Sequence, residues 1–203
     1  MRKINVLTFV SMDGVMQAPG GPEEDTSGGF KYGGWTFPFF DEFLGQVMGE
    51  QMGHPFDLLL GRKTYDIFSL FWPHQDVNTN PGAAPLNKAT KYVVSHNDLK
   101  LDWENSILVK DNVVEEIKKL KQQDRPELQV HGSSNLIQTL LKNDLIDELW
   151  LKIFPVALGS GKKLFGDGTV PESFVLVDSK ISPKGVIVAN FKRAGEVKTG
   201  SFS

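Results

Sequence analysis

A strand segment, Asp57 to Leu60 (DLLL), carries three leucines in a row, ends at Gly61 and passes straight into Arg62, Lys63 and Thr64 ahead of YDIF. A strand without polar alternation has both faces covered, so this one belongs inside a sheet layered by helices on two sides. The segment after it is expected to open a helix. Gly61 lets the backbone approach an anion, Arg62 and Lys63 bring positive charge, Thr64 brings a hydroxyl, and the first N–H groups of a helix have no partners within it. Glycine followed by cations is common in surface loops; the strand before and the helix after make this a candidate phosphate grip.

The pattern returns where Leu128 to His131 runs into Gly132, Ser133, Ser134 and Asn135 ahead of a helix from Leu136 to Lys142. Ser133 or Ser134 would serve equally well as an ordinary helix cap. Two such junctions in one sheet are also what the pyrophosphate of a dinucleotide needs. The GxGxxG spacing is missing, which argues against a standard Rossmann site.

The remaining segments fill out the same architecture. Ile4 to Val10 is a strand that ends at SMDG. There Asp13 either makes an Asp-Gly turn or offers a carboxylate to orient a heterocycle and assist protonation. Gln17 to Gly34, rich in glycine and holding two prolines, is a long irregular loop. Phe30, Tyr32, Trp35 and Phe37 punctuate this region, either as the wall of a planar ligand site or as an apolar plug. A helix is expected over Phe39 to Met52 and a helical turn over Tyr65 to Phe71, stopped by Trp72-Pro73; His74 to Pro85 is a polar surface excursion. Lys91 to Ser95 and Ile107 to Val109 are short strands. Asn112 to Gln122 is a helix with a capping box between Asn112 and Glu115. Leu149 to Ala157 is a strand, straight or bent at Pro155, and Phe174 to Ser179 and Gly185 to Lys192 close the series. About eight strands and four helices, alternating early and strand-rich late, predict one three-layer α/β domain over 1–203 with antiparallel strands at its C-terminal end.

Composition narrows the function. A net charge of -3 carries no basic excess for a nucleic-acid backbone. With no cysteine, thiolate zinc sites, iron–sulfur clusters and cysteine nucleophiles are all ruled out, and a reducing compartment is compatible. His54, His74, His96 and His131 have no metal-ligand spacing, so no metal site is expected. GSGKK at 159–163 departs from the P-loop pattern, with Val156 and Lys163 where glycine and a hydroxyl are required. No GxSxG elbow is present. The N-terminus lacks a cleavage pattern and no apolar run reaches membrane length, which predicts a cytoplasmic protein without membrane contact.

Taken in order, SMDG after the first strand, GRKTYDIF, KYVVS, QVHGSSNL and LWLKIFPVALGSGKKLFGDG resemble the dihydrofolate reductase superfamily. The branch is similar to the reductase domain of bifunctional riboflavin-biosynthesis deaminase-reductases. That resemblance implies a mixed sheet of eight strands flanked by helices and an extended NADPH. It puts Gly61, Arg62, Lys63 and Thr64 at the cofactor phosphates, Ser95 and His96 near the adenosine 2′-phosphate, and Gly132, Ser133, Ser134 and Asn135 under the pyrophosphate. Thr8, Phe9 and Val10 would border the nicotinamide, with Asp13 and Trp35 on a small-molecule substrate. A homodimer is also implied. The expected activity is hydride transfer from NADPH to a small heterocyclic or sugar-derived substrate, as in 5-amino-6-(5-phosphoribosylamino)uracil reduction. Dihydrofolate reduction and a non-catalytic nucleotide-binding protein of the same fold are the alternatives. For the former, Asp41 and Glu42 would have to supply the carboxylate that pairs with a pteridine.

Overall fold

The computed structural model describes residues 1–202. Eight strands form one sheet: β1 (Ile4–Ser11), β2 (Phe56–Gly61), β3 (Lys91–Val94), β4 (Ser106–Val109), β5 (Glu127–Val130), β6 (Glu148–Phe154), β7 (Ser173–Ile181) and β8 (Ile187–Gly195). Their spatial order is β4-β3-β2-β5-β1-β6-β8-β7. Pairing is parallel from β4 through to β6, and β8 alone runs against its two neighbours. The mixed sheet expected from the sequence is therefore present, with its antiparallel part confined to the β6-β8-β7 end.

Five α-helices connect the strands: α1 (Glu42–Gln51), α2 (Arg62–Phe71), α3 (Ala83–Lys88), α4 (Val113–Gln122) and α5 (Ser134–Lys142). On one face α4 and α5 bury Ile117, Leu136, Ile137 and Leu140 against Ile4, Val6, Leu128 and Val130. On the other, Leu44 and Val47 of α1 meet Phe154 and Val188, while Tyr65 of α2 and Leu86 of α3 meet Leu58, Leu60 and Val93. Leu58, Leu59 and Leu60 are fully buried because successive side chains point into these two layers. Asp57 anchors the start of β2 between two guanidiniums, at 2.5 Å from Arg2 and 3.2 Å from Arg125.

Several boundaries differ from expectation for identifiable reasons. The first helix begins at Glu42, not Phe39, because Asp41 caps it by accepting from the Leu44 amide at 3.0 Å. Phe37–Phe39 forms a separate 3-10 turn ahead of it. The second helix opens at Arg62 and takes in the cations, whereas the sequence placed its regular part from Tyr65. A fifth helix, α3, lies partly in the stretch expected to be a surface excursion, held by burial of Ala83 and Leu86. No capping box forms at α4: Asn112 adopts φ 48 and its side chain makes no cap. The strand expected over Leu149 to Ala157 ends at Phe154, ahead of Pro155.

Lys152 of β6 is a charged side chain in the core, 3% exposed, with Gln51 of α1 as its hydrogen-bond acceptor and the ring of Phe9 at 6.0 Å. Desolvation pushes its ammonium down to about 7. Because the native value lies below the unfolded one, the protein loses stability to this buried charge at and below neutral pH. It regains that stability as pH rises from about 7 towards 10.5. Lys152→Met is thus expected to raise the urea midpoint at about pH 6, with the gain vanishing by about pH 10. An equal difference at both pH values would contradict this.

Candidate cofactor and substrate site

Helices α2 and α5 follow adjacent strands, β2 and β5, yet pack on opposite faces of the sheet. Where consecutive connections diverge in this way, a crevice opens at the carboxyl ends of the strands, and open α/β sheets bind ligands there. Gly61 and Gly132 each face a side chain of the other junction. A Cβ on Gly61 would lie 2.5 Å from Ser133 Oγ, and one on Gly132, whose φ is +137, would lie 3.4 Å from Thr64 Oγ1.

Ser133 does not cap its own helix. It stands at the N-cap of α5 in a left-handed conformation (φ 68), yet it makes no cap hydrogen bond. Its hydroxyl turns to the other junction, where it accepts from the Gly61 amide at 3.0 Å and pairs with Thr64 Oγ1 at 2.5 Å. The two strand–glycine–helix junctions are therefore stitched into one unit. Helix α2 likewise has no side-chain cap at Gly61. Two helix N-termini, each with first-turn N–H groups unclaimed by a capping side chain, meet at one crevice with their positive dipole ends beside it. The glycines let the two junctions approach each other closely, and the uncapped N-termini they bring together are the donors that fit a diphosphate.

The other sequence candidates fall on the same sheet edge. Ser95 follows β3, and its hydroxyl closes a turn with Asn97, accepting from the amide at 3.1 Å and donating to the carbonyl at 3.0 Å. His96 beside it is exposed. Thr8 and Val10 point to the α5 side of β1, whereas Phe9 points to the α1 side, edge-on to Phe154 at 5.5 Å. The candidate segments thus occupy four consecutive strands, β3, β2, β5 and β1, a neighbourhood invisible in the sequence order.

Three candidates are engaged by residues outside the crevice. Lys63 is turned from the crevice to the long loop, 2.5 Å from Asp25. Asp13 has its carboxylate filled: it accepts from Ser11 Oγ at 2.6 Å, from the Gly159 amide at 2.7 Å and from the Leu158 amide at 3.0 Å. The Ser11 hydroxyl and these amides lower its carboxyl to about 2, so it is ionised at neutral pH. It is a staple between the first turn and the glycine-rich loop after β6. Trp35 is buried as a plug, its Nε1 donating to the Gln17 carbonyl at 2.8 Å and its ring 5.3 Å from that of Phe154. Arg62 is half exposed and paired with Asp66 one turn on, an arrangement that leaves it free to exchange partners.

Asp25 and Lys162, which meet at 2.6 Å, were not singled out by sequence; Asp25 lies in an irregular loop and no periodicity marks it. Lys152 did carry a signal, as the lone cation inside LWLKIF. One carboxylate oxygen of Asp41, at the start of α1, is buried without a hydrogen-bond partner. Among the described residues no acidic and histidine side chains gather as a metal site, and no helix is long and apolar enough to cross a membrane.

Comparison with known proteins agrees with this architecture. A family model described as the RibD C-terminal domain matches residues 2–188. The Bacillus subtilis (strain 168) protein YyaP is 31% identical over 150 residues, covering 73% of this chain and 75% of its own. Among solved structures, a Shewanella sp. PV-4 protein whose name assigns it to riboflavin biosynthesis superposes with TM-score 0.66 at 23% identity, over 95% of this chain and 99% of that one. Dihydrofolate reductase from Enterococcus faecalis, complexed with NADP(H), superposes with TM-score 0.57 at 16% identity, over 94% and 96%. These structural likenesses concern the fold.

Proposed function

Since this chain belongs to the RibD C-terminal domain family, we propose that it is an NADPH-dependent reductase acting on a small heterocyclic or sugar-derived substrate. The observation that carries the reading is the Ser133 stitch, which joins two uncapped helix N-termini and two close-approach glycines into one cradle. Bound NADPH would supply hydride to a carbonyl or imine carbon. The first turns of α2 and α5 would donate N–H groups to its diphosphate. Arg62 would leave Asp66 for a phosphate oxygen, and Ser95 and His96 would flank the adenosine end. Thr8 to Val10 would border the nicotinamide, with Phe9, Phe154 and Trp35 keeping water from that side of β1. Asp13, an ionised carboxylate, would orient the substrate. The reading keeps the expected cytoplasmic setting, in keeping with a cysteine-free chain.

The buried, unpartnered oxygen of Asp41 favours the second reading, dihydrofolate reduction, because it could accept an N–H from a pteridine. Titration of the protein with NADPH, followed by thermal shift and tryptophan fluorescence, tests the cofactor assignment; absence of any response at millimolar NADPH would refute it. Dihydrofolate-dependent NADPH oxidation blocked by methotrexate would select the second reading.

The reading includes a homodimer. Its support is β7, an edge strand paired on one side only, with Val175 58% and Val177 55% exposed. Introducing Val175→Lys and Val177→Lys together is expected to convert a dimer to a monomer by light scattering without loss of fold. A wild-type monomer would contradict it.

A further inference from the structure

The loop of residues 17–34 reaches the first turn of α2 through one carboxylate. Asp25 is 9% exposed and gathers Lys63 Nζ at 2.5 Å, Lys162 Nζ at 2.6 Å and Ser27 Oγ at 2.5 Å. Lys63 comes from the first turn of α2, between Arg62 and Thr64, and Lys162 from the glycine-rich loop after β6. Gln17 stiffens the arrangement: its Nε2 donates to the carbonyls of Asp25 and Ser27, and its Oε1 accepts from the Lys162 amide at 2.9 Å. Burial works against the charge of Asp25, yet Lys162, Lys63 and Ser27 outweigh it and hold its carboxyl well below the usual range. A recess of about 260 Å³, lined by Gln17, Ser27, Phe30, Ser160 and Lys162, adjoins the cluster.

Both lysine side chains remain about half open to solvent, at 50% and 40% exposure. An anion can therefore reach them from water. Half-exposed ion pairs are individually weak, and a phosphate offers a lysine more charge and more acceptors than a carboxylate does.

We propose that Asp25 is a built-in anion that latches the loop of residues 17–34 onto the cofactor grip and is exchanged at Lys63 for a phosphate group of the cofactor. Phosphate binding then removes one of the two lysines that hold the loop. By linkage, an occupied grip loosens the loop, and removal of the carboxylate tightens phosphate binding. In the resting state the latch lowers apparent affinity, because only molecules with Lys63 released are competent. The inference rests on the cofactor reading above, and its test separates the two.

NADPH affinity is measured for wild type, Asp25→Asn and Lys162→Met, and tryptic cleavage after Lys31 in the loop is timed with NADPH or inorganic pyrophosphate present. Asp25→Asn is expected to bind NADPH about tenfold tighter, with its loop cleaved quickly whether or not anion is added. Lys162→Met, which keeps Asp25 and Lys63, is expected to shift both readouts in the same direction by less. It decides the matter if Asp25→Asn does not fold. In wild type, either anion should accelerate cleavage. Unchanged or weaker NADPH binding in the folded variant, or cleavage indifferent to pyrophosphate, overturns the latch while leaving the cofactor reading intact. If no form binds NADPH, the cofactor reading fails and the pyrophosphate arm alone judges the latch.

Discussion

Gly61→Ala is expected to abolish measurable NADPH binding and to destabilise the protein by about 1–3 kcal/mol, the usual range for overpacking. The backbone of Gly61 (φ -77) would tolerate alanine. The obstacle is Ser133, whose Oγ and Cβ would lie 2.5 and 2.6 Å from the new methyl. Rotation of the serine relieves only the first contact, so β2 and the turn after β5 must separate. The bonds from Ser133 to Gly61 and Thr64 then break, and the two helix N-termini lose their fixed spacing. Adding Ser133→Gly removes both clashing atoms and is expected to recover most of the stability but not the affinity, because the stitch is still missing. Full NADPH affinity in Gly61→Ala would show that the junctions act separately.

Phe154→Ala is expected to have the largest effect on folding, about 3–5 kcal/mol by urea denaturation, the range for deleting a fully buried aromatic ring. Phe154 has no exposed surface, and its ring meets those of Phe9, Trp35 and Phe39 edge-on at 5.5, 5.3 and 6.2 Å. These contacts join β1, β6 and the long loop, so the cavity would loosen the plug as well as the sheet. A red shift of tryptophan emission at native conditions should accompany the loss. Phe37, 83% exposed in the same aromatic region, is the control and should change stability by less than about 0.5 kcal/mol when replaced by alanine. Similar losses at both positions would contradict the packing described.

Most of the sheet was legible because its strands are rich in β-forming and apolar residues. The three leucines of DLLL needed no tertiary information to be placed between helical layers. Helix ends were harder, since capping is decided by single side chains: Asp41 trimmed α1, and the left-handed Asn112 removed a capping box that rested on spacing alone. Helix α3 was hidden in polar surroundings because its few buried residues, Ala83 and Leu86, are too sparse to show a period.

The site was legible as segments but not as partners. GRKT and GSSN were each ambiguous alone, and only the topology shows that β2 and β5 are neighbours with diverging helices. Side-chain direction lay beyond sequence patterns. Nothing in the sequence says that Ser133 abandons its own helix, that Asp13 is filled by backbone amides, or that Lys63 faces Asp25. Each outcome depends on contacts between residues far apart in the chain, which local propensity does not encode.

The central claim is that the two junctions form one cofactor cradle, and amide hydrogen exchange with and without NADPH tests it most directly. The account predicts cofactor-dependent protection of the first-turn amides of both helices, Arg62 to Thr64 and Ser134 to Leu136, appearing at the same NADPH concentration. Protection of only one set, or protection confined to another edge of the sheet, would contradict it.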